Sequence, residues 1–235
     1  MIEVLEKGLR EIGIRLEREK EEMFLKYIEL LDQWNSKCNL IKIRDHLELV
    51  EYHFLDSLQI LRTCSWEGRL RVVDIGTGAG FPGVPLKICL PNLEMYLVEA
   101  QRRRCVFLQQ LIEELNLTGC YLLCNRAEIL AHNLEYRAAF DRVVVRAVSS
   151  LPVVLELGLP FLKEGGFLVA MRGVEVQDEI NKSSRALSLL GGEVNKIVEY
   201  QVGERRPHHL LIVRKVFATP PKYPRRPGIP QKRPL

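Results

Sequence analysis

The chain has 235 residues and a mass of 27.1 kDa, with 47% hydrophobic and 27% charged residues. That supports one sizeable core with a small appendage and excludes a largely disordered chain. No run approaches the roughly 18 apolar residues that span a bilayer, and residues 1–20 alternate charge with single apolar side chains, so neither a membrane span nor a secretory signal is expected and the protein is placed in the cytoplasm. The net charge of +4 hides an asymmetry: residues 1–70 carry -3, residues 71–200 carry -1 and residues 201–235 carry +8. A cationic block of this kind suits a phosphate backbone or another polyanion.

Residues 17–36 read as a helix, because Met23, Phe24, Tyr27, Ile28, Leu31 and Trp34 recur at three- and four-residue steps. Asn35 and Asn39 bracket a break. A second helix is expected near 45–62, with Leu47, Val50, Phe54, Leu58 and Leu61 on its buried face and Asp45 as its cap. From residue 70 short apolar runs alternate with helical ones. Strands are expected at 70–75, 94–99, 121–124, 141–145 and 167–171, and helices at 82–89, 101–116, 150–162 and 175–190, with a turn at 163–166. Strands apolar on both faces, with helices between them, indicate a parallel sheet covered on both sides. Two last strands, 196–202 and 209–214, are too close in sequence for a crossover helix, so they are expected to form an antiparallel hairpin.

Residues 219–235 contain six prolines and five basic residues without an acid, which predicts an arm free of helix, with Tyr223, Ile229 and Leu235 able to pin it. Three parts follow: a helical extension over 1–66, an α/β domain over 67–218 and the basic arm over 219–235. The six cysteines, Cys38, Cys64, Cys89, Cys105, Cys120 and Cys124, form no CxxC pair and read as free thiols of a reducing compartment. Five histidines without ligand spacing give no metal site.

The central feature is Val73-Asp74-Ile75-Gly76-Thr77-Gly78-Ala79-Gly80-Phe81-Pro82-Gly83, which leaves a strand and enters a helix. Such a turn brings main-chain amides to a nucleotide-like ligand at the C-terminal edge of a sheet. A dinucleotide fingerprint needs its third glycine where Phe81 stands, and no Lys-Ser or Lys-Thr follows for a triphosphate loop. Asp74 before the turn repels a pyrophosphate and suits a cationic amine, which favours S-adenosyl-L-methionine over NAD. Glu99, ending the next strand, is placed to hold ribose hydroxyls, and Ala127 and Glu128 to flank an adenine. Phe81 is either a core residue beneath the turn or a cover over the cofactor.

Residues 72–86, VVDIGTGAGFPGVPL, resemble the cofactor turn of the bacterial RsmG (glucose-inhibited division protein B) family. The likeness extends to WNSKCNL (34–40), HFLDSL (53–58), NRAEIL (125–130), FDRVVVRAV (140–148), MRG (171–173) and TPPKYPRRPGIPQKRPL (219–235). The resemblance implies a class I, Rossmann-like methyltransferase fold, with a seven-stranded, mostly parallel sheet ending in an antiparallel hairpin and preceded by N-terminal helices. It implies transfer of a methyl group to N7 of a guanine in 16S ribosomal RNA, with the RNA or the assembling small subunit as partner and the protein acting as a monomer. It also implies cofactor contacts at Gly76, Phe81, Ala127, Glu128 and Arg146, with Glu99 at the ribose; Asp74, Gly78 and Gly80 complete the expected cofactor set. The family often has Thr where this chain has Ile41, and Lys where it has Arg172.

N7 of guanine carries an available lone pair, so no general base is required and catalysis reduces to alignment and charge stabilisation. His53, Asp56 and Ser57 share one helix face and read as a clamp or as the site mouth. Arg146 ends the fourth strand and faces the reacting group, so Arg146, His53 and Asp56 are the candidate catalytic residues. Arg172, Arg205, Arg206, Lys222, Arg225, Arg226, Lys232 and Arg233 are the expected RNA contacts, acting on phosphates without reading sequence. His208 and His209 read as an exposed pair at the hairpin end. A methyltransferase for another RNA atom or a small molecule, a non-catalytic RNA-binding module and an NAD enzyme remain as alternatives.

Overall fold

The computed structural model describes every residue except Arg205 and the side chain of Cys38. At the N-terminus, α1 (Ile2–Glu11) and α2 (Arg18–Cys38) precede a composite helix. It starts as α3 (His46–Leu49), passes through a π-helical segment at Val50–Leu55 and continues as α4 (Asp56–Leu58) and a 3-10 turn at Gln59–Arg62. Strands and helices then alternate: β1 (Arg71–Ile75), α5 (Gly83–Cys89), β2 (Glu94–Glu99), α6 (Arg102–Glu114), β3 (Cys120–Cys124), α7 (Ala127–Leu130) and β4 (Phe140–Arg146). They are followed by α8 (Leu151–Gly158), β5 (Leu162–Arg172), α9 (Val176–Lys182), α10 (Ser184–Leu190), β6 (Gly192–Tyr200), β7 (His208–Lys215) and α11 (Ile229–Lys232).

The sheet order is β3-β2-β1-β4-β5-β7-β6. Strands β1 to β5 pair in parallel, while β7 is antiparallel to both β5 and β6. The strand order reverses between β1 and β4, where crossovers leave to opposite sides, and a crevice opens at the carboxyl ends of such strands. Side chains alternate across the sheet. Val72, Val144 and Val169 join a cluster with Phe24, Tyr27, Phe54 and Phe107, whereas Val73, Val143, Val145 and Leu168 join one with Leu151, Leu155, Leu187 and Leu190. Each fully buried Phe in the first cluster contributes roughly 2–3 kcal/mol, so the N-terminal helices share a core with the sheet.

Several elements differ from expectation. Residues 2–11 are helical: Leu5 and Leu9 are fully buried, one helical turn apart, so single apolar residues among charges supply a stripe. The turn expected at 163–166 is absorbed into β5, whose pairing with β4 jumps from Phe140↔Leu162 to Arg142↔Phe167. The helix over 175–190 is two helices, broken at Ser183, whose hydroxyl bonds back to the Glu179 carbonyl at 2.6 Å. The arm holds one short helix, α11, because Pro230 falls in its first turn, where a missing N–H costs nothing. Cys105 and Cys124 are bridged, with Cα atoms 5.9 Å apart, which corrects the reading of that pair as free thiols; Cys64, Cys89 and Cys120 are free. Among the described residues no helix is long and apolar enough to cross a membrane.

Candidate functional site

The glycine turn is tied to the neighbouring strand by its own backbone. The amides of Gly76 and Thr77 both donate to the Val98 carbonyl, at 2.9 and 3.1 Å. Gly76 has φ +70°, and a Cβ there would lie 2.8 Å from Val148 Cγ2. The Gly78 amide donates to Glu99 Oε2 at 3.1 Å and the Gln101 amide to Glu99 Oε1 at 2.7 Å, so Glu99 braces the turn as well as facing the crevice.

Three expected cofactor residues have another task. Asp74 is fully buried and accepts from the Gly83 amide at 2.8 Å, capping the start of α5. Burial pushes its carboxyl up to about 7, against the opposing influence of Thr77, the Gly83 amide and Arg146. Asp74 has no exposed surface, is committed to the Gly83 amide and does not line the cavity described below, so the direct contact expected of it is corrected to a capping role. Gly80 is needed for close approach of the N-terminal helices: a Cβ would lie 2.5 Å from Tyr27 Oη, whose hydroxyl donates to the Ala79 carbonyl. The Phe81 ring is buried in the same layer, stacked on Tyr27 at 5.4 Å and close to His53 and Phe54. The ring is a core residue under the turn.

A cavity of about 240 Å³ lies beside the turn. Gly76, Glu99, Asn125, Arg126, Ala127, Glu128 and Val148 line it, joined by Gly228, Pro230 and Gln231 of the arm. Glu99, which Arg104 meets from 3.7 Å, and Glu128 face the cavity with Arg126, and this lining of carboxylates suits a nucleoside with ribose hydroxyls and no phosphate. Each carboxylate offers about four lone-pair sites, so Glu99 retains acceptor capacity after bracing the turn. The residues present therefore fit S-adenosyl-L-methionine.

A second cavity, of about 520 Å³, adjoins the first: Val148 belongs to both walls. Here the three candidate catalytic residues meet. Arg146 donates to the Tyr52 carbonyl and Asp56 Oδ2, both at 3.1 Å, and to His53 Nδ1 at 2.7 Å, while its guanidinium lies 5.1 Å from the Phe81 ring centre. Arginine only donates, so Nδ1 of His53 is the unprotonated nitrogen. The π-helical segment brings this face together, with the Asp56 amide reaching back to the Glu51 carbonyl. Ser57 is turned away, its hydroxyl donating to the His53 carbonyl. Asp56 Oδ1 accepts from the Tyr200 hydroxyl at 2.8 Å and lies 3.8 Å from His208 Nδ1. Burial raises the Asp56 carboxyl, but His208, Arg146 and Tyr200 together hold it below the usual carboxylate range.

Tyr200 and His208 were not expected here. They are cross-strand partners at the mouth of the β6–β7 hairpin, a position legible once the hairpin is drawn. Arg172 also lines the second cavity, but its side chain is 9% exposed and committed to Glu179 and the Ser149 carbonyl, which corrects its reading as a surface phosphate contact.

The family profile described as rRNA small subunit methyltransferase G matches residues 20–209. The chain belongs to that family. It is 43% identical over 225 residues to Ribosomal RNA small subunit methyltransferase G of Desulfitobacterium hafniense (strain Y51), covering 95% of this chain and 93% of the relative. It is 40% identical over 235 residues to the protein of that name from Thermoanaerobacter sp. (strain X514), covering 100% of this chain and 98% of the relative. Among solved structures, a methyltransferase from Pyrococcus furiosus superposes with a TM-score of 0.57 at 19% identity, over 84% of this chain and 98% of that one, which shows the fold.

The basic residues of this family member divide sharply. Lys222, Arg226, Lys232 and Arg233 are exposed on the arm, and Arg206 is exposed beside the hairpin; Arg205 lies outside the described residues. Arg225 is different. Its backbone and guanidinium N–H groups donate three times to the fully buried Glu156, at 2.8, 2.8 and 2.6 Å. It anchors the arm, which corrects its reading as a phosphate contact.

Proposed function

We propose that the chain transfers a methyl group from S-adenosyl-L-methionine to N7 of a guanine in 16S ribosomal RNA, as the free RNA or within an assembling small subunit. The observation that carries this reading is the pair of adjoining cavities with Val148 in both walls. One holds Glu99, Ala127, Glu128 and the exposed Gly76 for the cofactor; the other holds Arg146, His53 and Asp56 for the base. The bound cofactor supplies an electrophilic methyl group on a sulfonium.

The chain's own residues supply position and charge balance. Arg146 commits three of its five N–H donors to Tyr52, Asp56 and His53, which fixes the guanidinium against the β4 terminus and leaves donors for a guanine O6. Asp56 offsets the arginine charge, and His53 accepts as a neutral ring. The wall therefore adds little net positive charge beside a base that becomes cationic on methylation. No proton has to leave N7, consistent with a cluster that contains no activated base. Exposed Lys222, Arg226, Lys232 and Arg233 hold the RNA by its phosphates.

Incubation with radiolabelled cofactor and small-subunit RNA, followed by mapping of the labelled nucleotide, tests the reading. Label at N7 of one guanine is expected. Label on another atom, or only on small molecules, would overturn the substrate assignment.

A further inference from the structure

We infer that residues 228–231 of the C-terminal arm are part of the cofactor-binding site, so that the segment bearing the exposed cations also sets cofactor affinity. The inference rests on the methyltransferase reading above and extends it to residues outside the glycine turn and strand ends.

Gly228, Pro230 and Gln231 line the same cavity as Gly76, Glu99 and Glu128, although 100 positions separate Gly228 from Glu128. The contacts are polar and directed at wall residues. The Gly228 amide donates to Glu128 Oε1 at 3.0 Å, and the Ser149 hydroxyl donates to Gln231 Oε1 at 2.8 Å. The arm thus fixes α7, which carries Ala127 and Glu128, and the 147–149 loop, which carries the Val148 shared by both cavities. Without these two bonds the cavity loses part of its lining and the restraint on two of its other walls.

The arm is held in place before any ligand arrives. Arg137 donates to the carbonyls of Thr219, Pro220 and Tyr223, at 2.8, 3.1 and 2.9 Å. The His132 ring meets the Pro224 carbonyl at 2.7 Å, and Arg225 is clamped on Glu156. A wall pre-positioned in this way adds to affinity without an ordering cost at binding. The cations Lys232 and Arg233 adjoin Gln231 in sequence and are exposed, so a phosphate backbone engaging them acts on a strand of chain that touches the cofactor cavity.

Two measurements with S-adenosylhomocysteine, the demethylated product form of the cofactor, test this. Calorimetric titration compares the native chain with Gln231→Trp, whose indole occupies the cavity from a solvent-accessible position; affinity is expected to fall about tenfold or more with an unchanged melting temperature. Hydrogen–deuterium exchange on the native chain is expected to show that the ligand slows the amides of 228–235, a readout that does not depend on the variant folding. Unaltered affinity in Gln231→Trp together with unprotected arm amides would overturn the inference and leave the methyltransferase reading standing. A native chain that binds no S-adenosylhomocysteine would overturn both.

Discussion

Asp74 and Gly76 stand two positions apart, yet the structure gives them opposite relations to the ligand cavity. Gly76 is exposed on its wall, and the left-handed φ together with the 2.8 Å approach to Val148 leaves no room for a side chain. Gly76→Val is expected to cut methyl transfer at least about a hundredfold while circular dichroism stays native; near-normal turnover would show that the turn tolerates the intrusion. Asp74 lies beneath the turn, and its role has a pH signature. The folded-state pKa of about 7 exceeds the reference 3.8, so ionisation is disfavoured in the folded protein and stability is lost as pH rises from about 4 to about 7. Asn at this position removes that penalty. The melting temperature of Asp74→Asn relative to the native chain is therefore expected to be higher at pH 8 than at pH 5, and an equal difference at both pH values would contradict the buried-carboxyl account. Sequence spacing found the meeting of His53 and Asp56 because they are one helical turn apart. It did not find Tyr200, 144 positions from Asp56, because only the closed hairpin brings that hydroxyl to the carboxylate.

At the scale of elements, composition misdescribed the arm. Proline and positive charge predicted a helix-free basic arm that Tyr223, Ile229 and Leu235 could pin, and gave no sign that a buried acid on α8 converts one of its five cations into an anchor. Arg225→Ala leaves Glu156 buried without its guanidinium, with only the backbone amide still donating, and is expected to cost about 3 kcal/mol in denaturant unfolding. Arg226→Ala, on the exposed side, is expected to stay within about 0.5 kcal/mol. The two residues are adjacent, so equal effects would refute the division of labour. Charge reversal at Lys222 and Arg226 is expected to weaken RNA binding and to flatten its dependence on salt, by about 0.9 in the log–log slope for each phosphate no longer neutralised. An unchanged slope would remove these residues from the RNA interface. The helix at 2–11 was missed for the converse reason: charges between its apolar residues masked a stripe in which Leu5 and Leu9, flanked by Val4 and Ile12, pack on the core. Strand β2 was legible to the residue because Glu94 and Glu99 bound an apolar run on both sides.

For the molecule as a whole, the alternation of strands and helices and the short β6–β7 connection were enough to specify a parallel sheet with an antiparallel hairpin. The order in which strands sit side by side was not written in local pattern, because periodicity records which face is buried and says nothing of which neighbour lies alongside. That order places the ends of β1 and β4 together, and with them Gly76 against Val148. The contact makes one valine the partition between two chambers, and a partition acts as a size filter for whatever crosses it. Trimming it in Val148→Ala widens the passage without disturbing the glycine backbone. Such a variant is expected to use synthetic sulfonium donors carrying ethyl or allyl groups better than the native chain does, as read by mass spectrometry of the modified RNA. Identical donor preference in both chains would place the filter elsewhere.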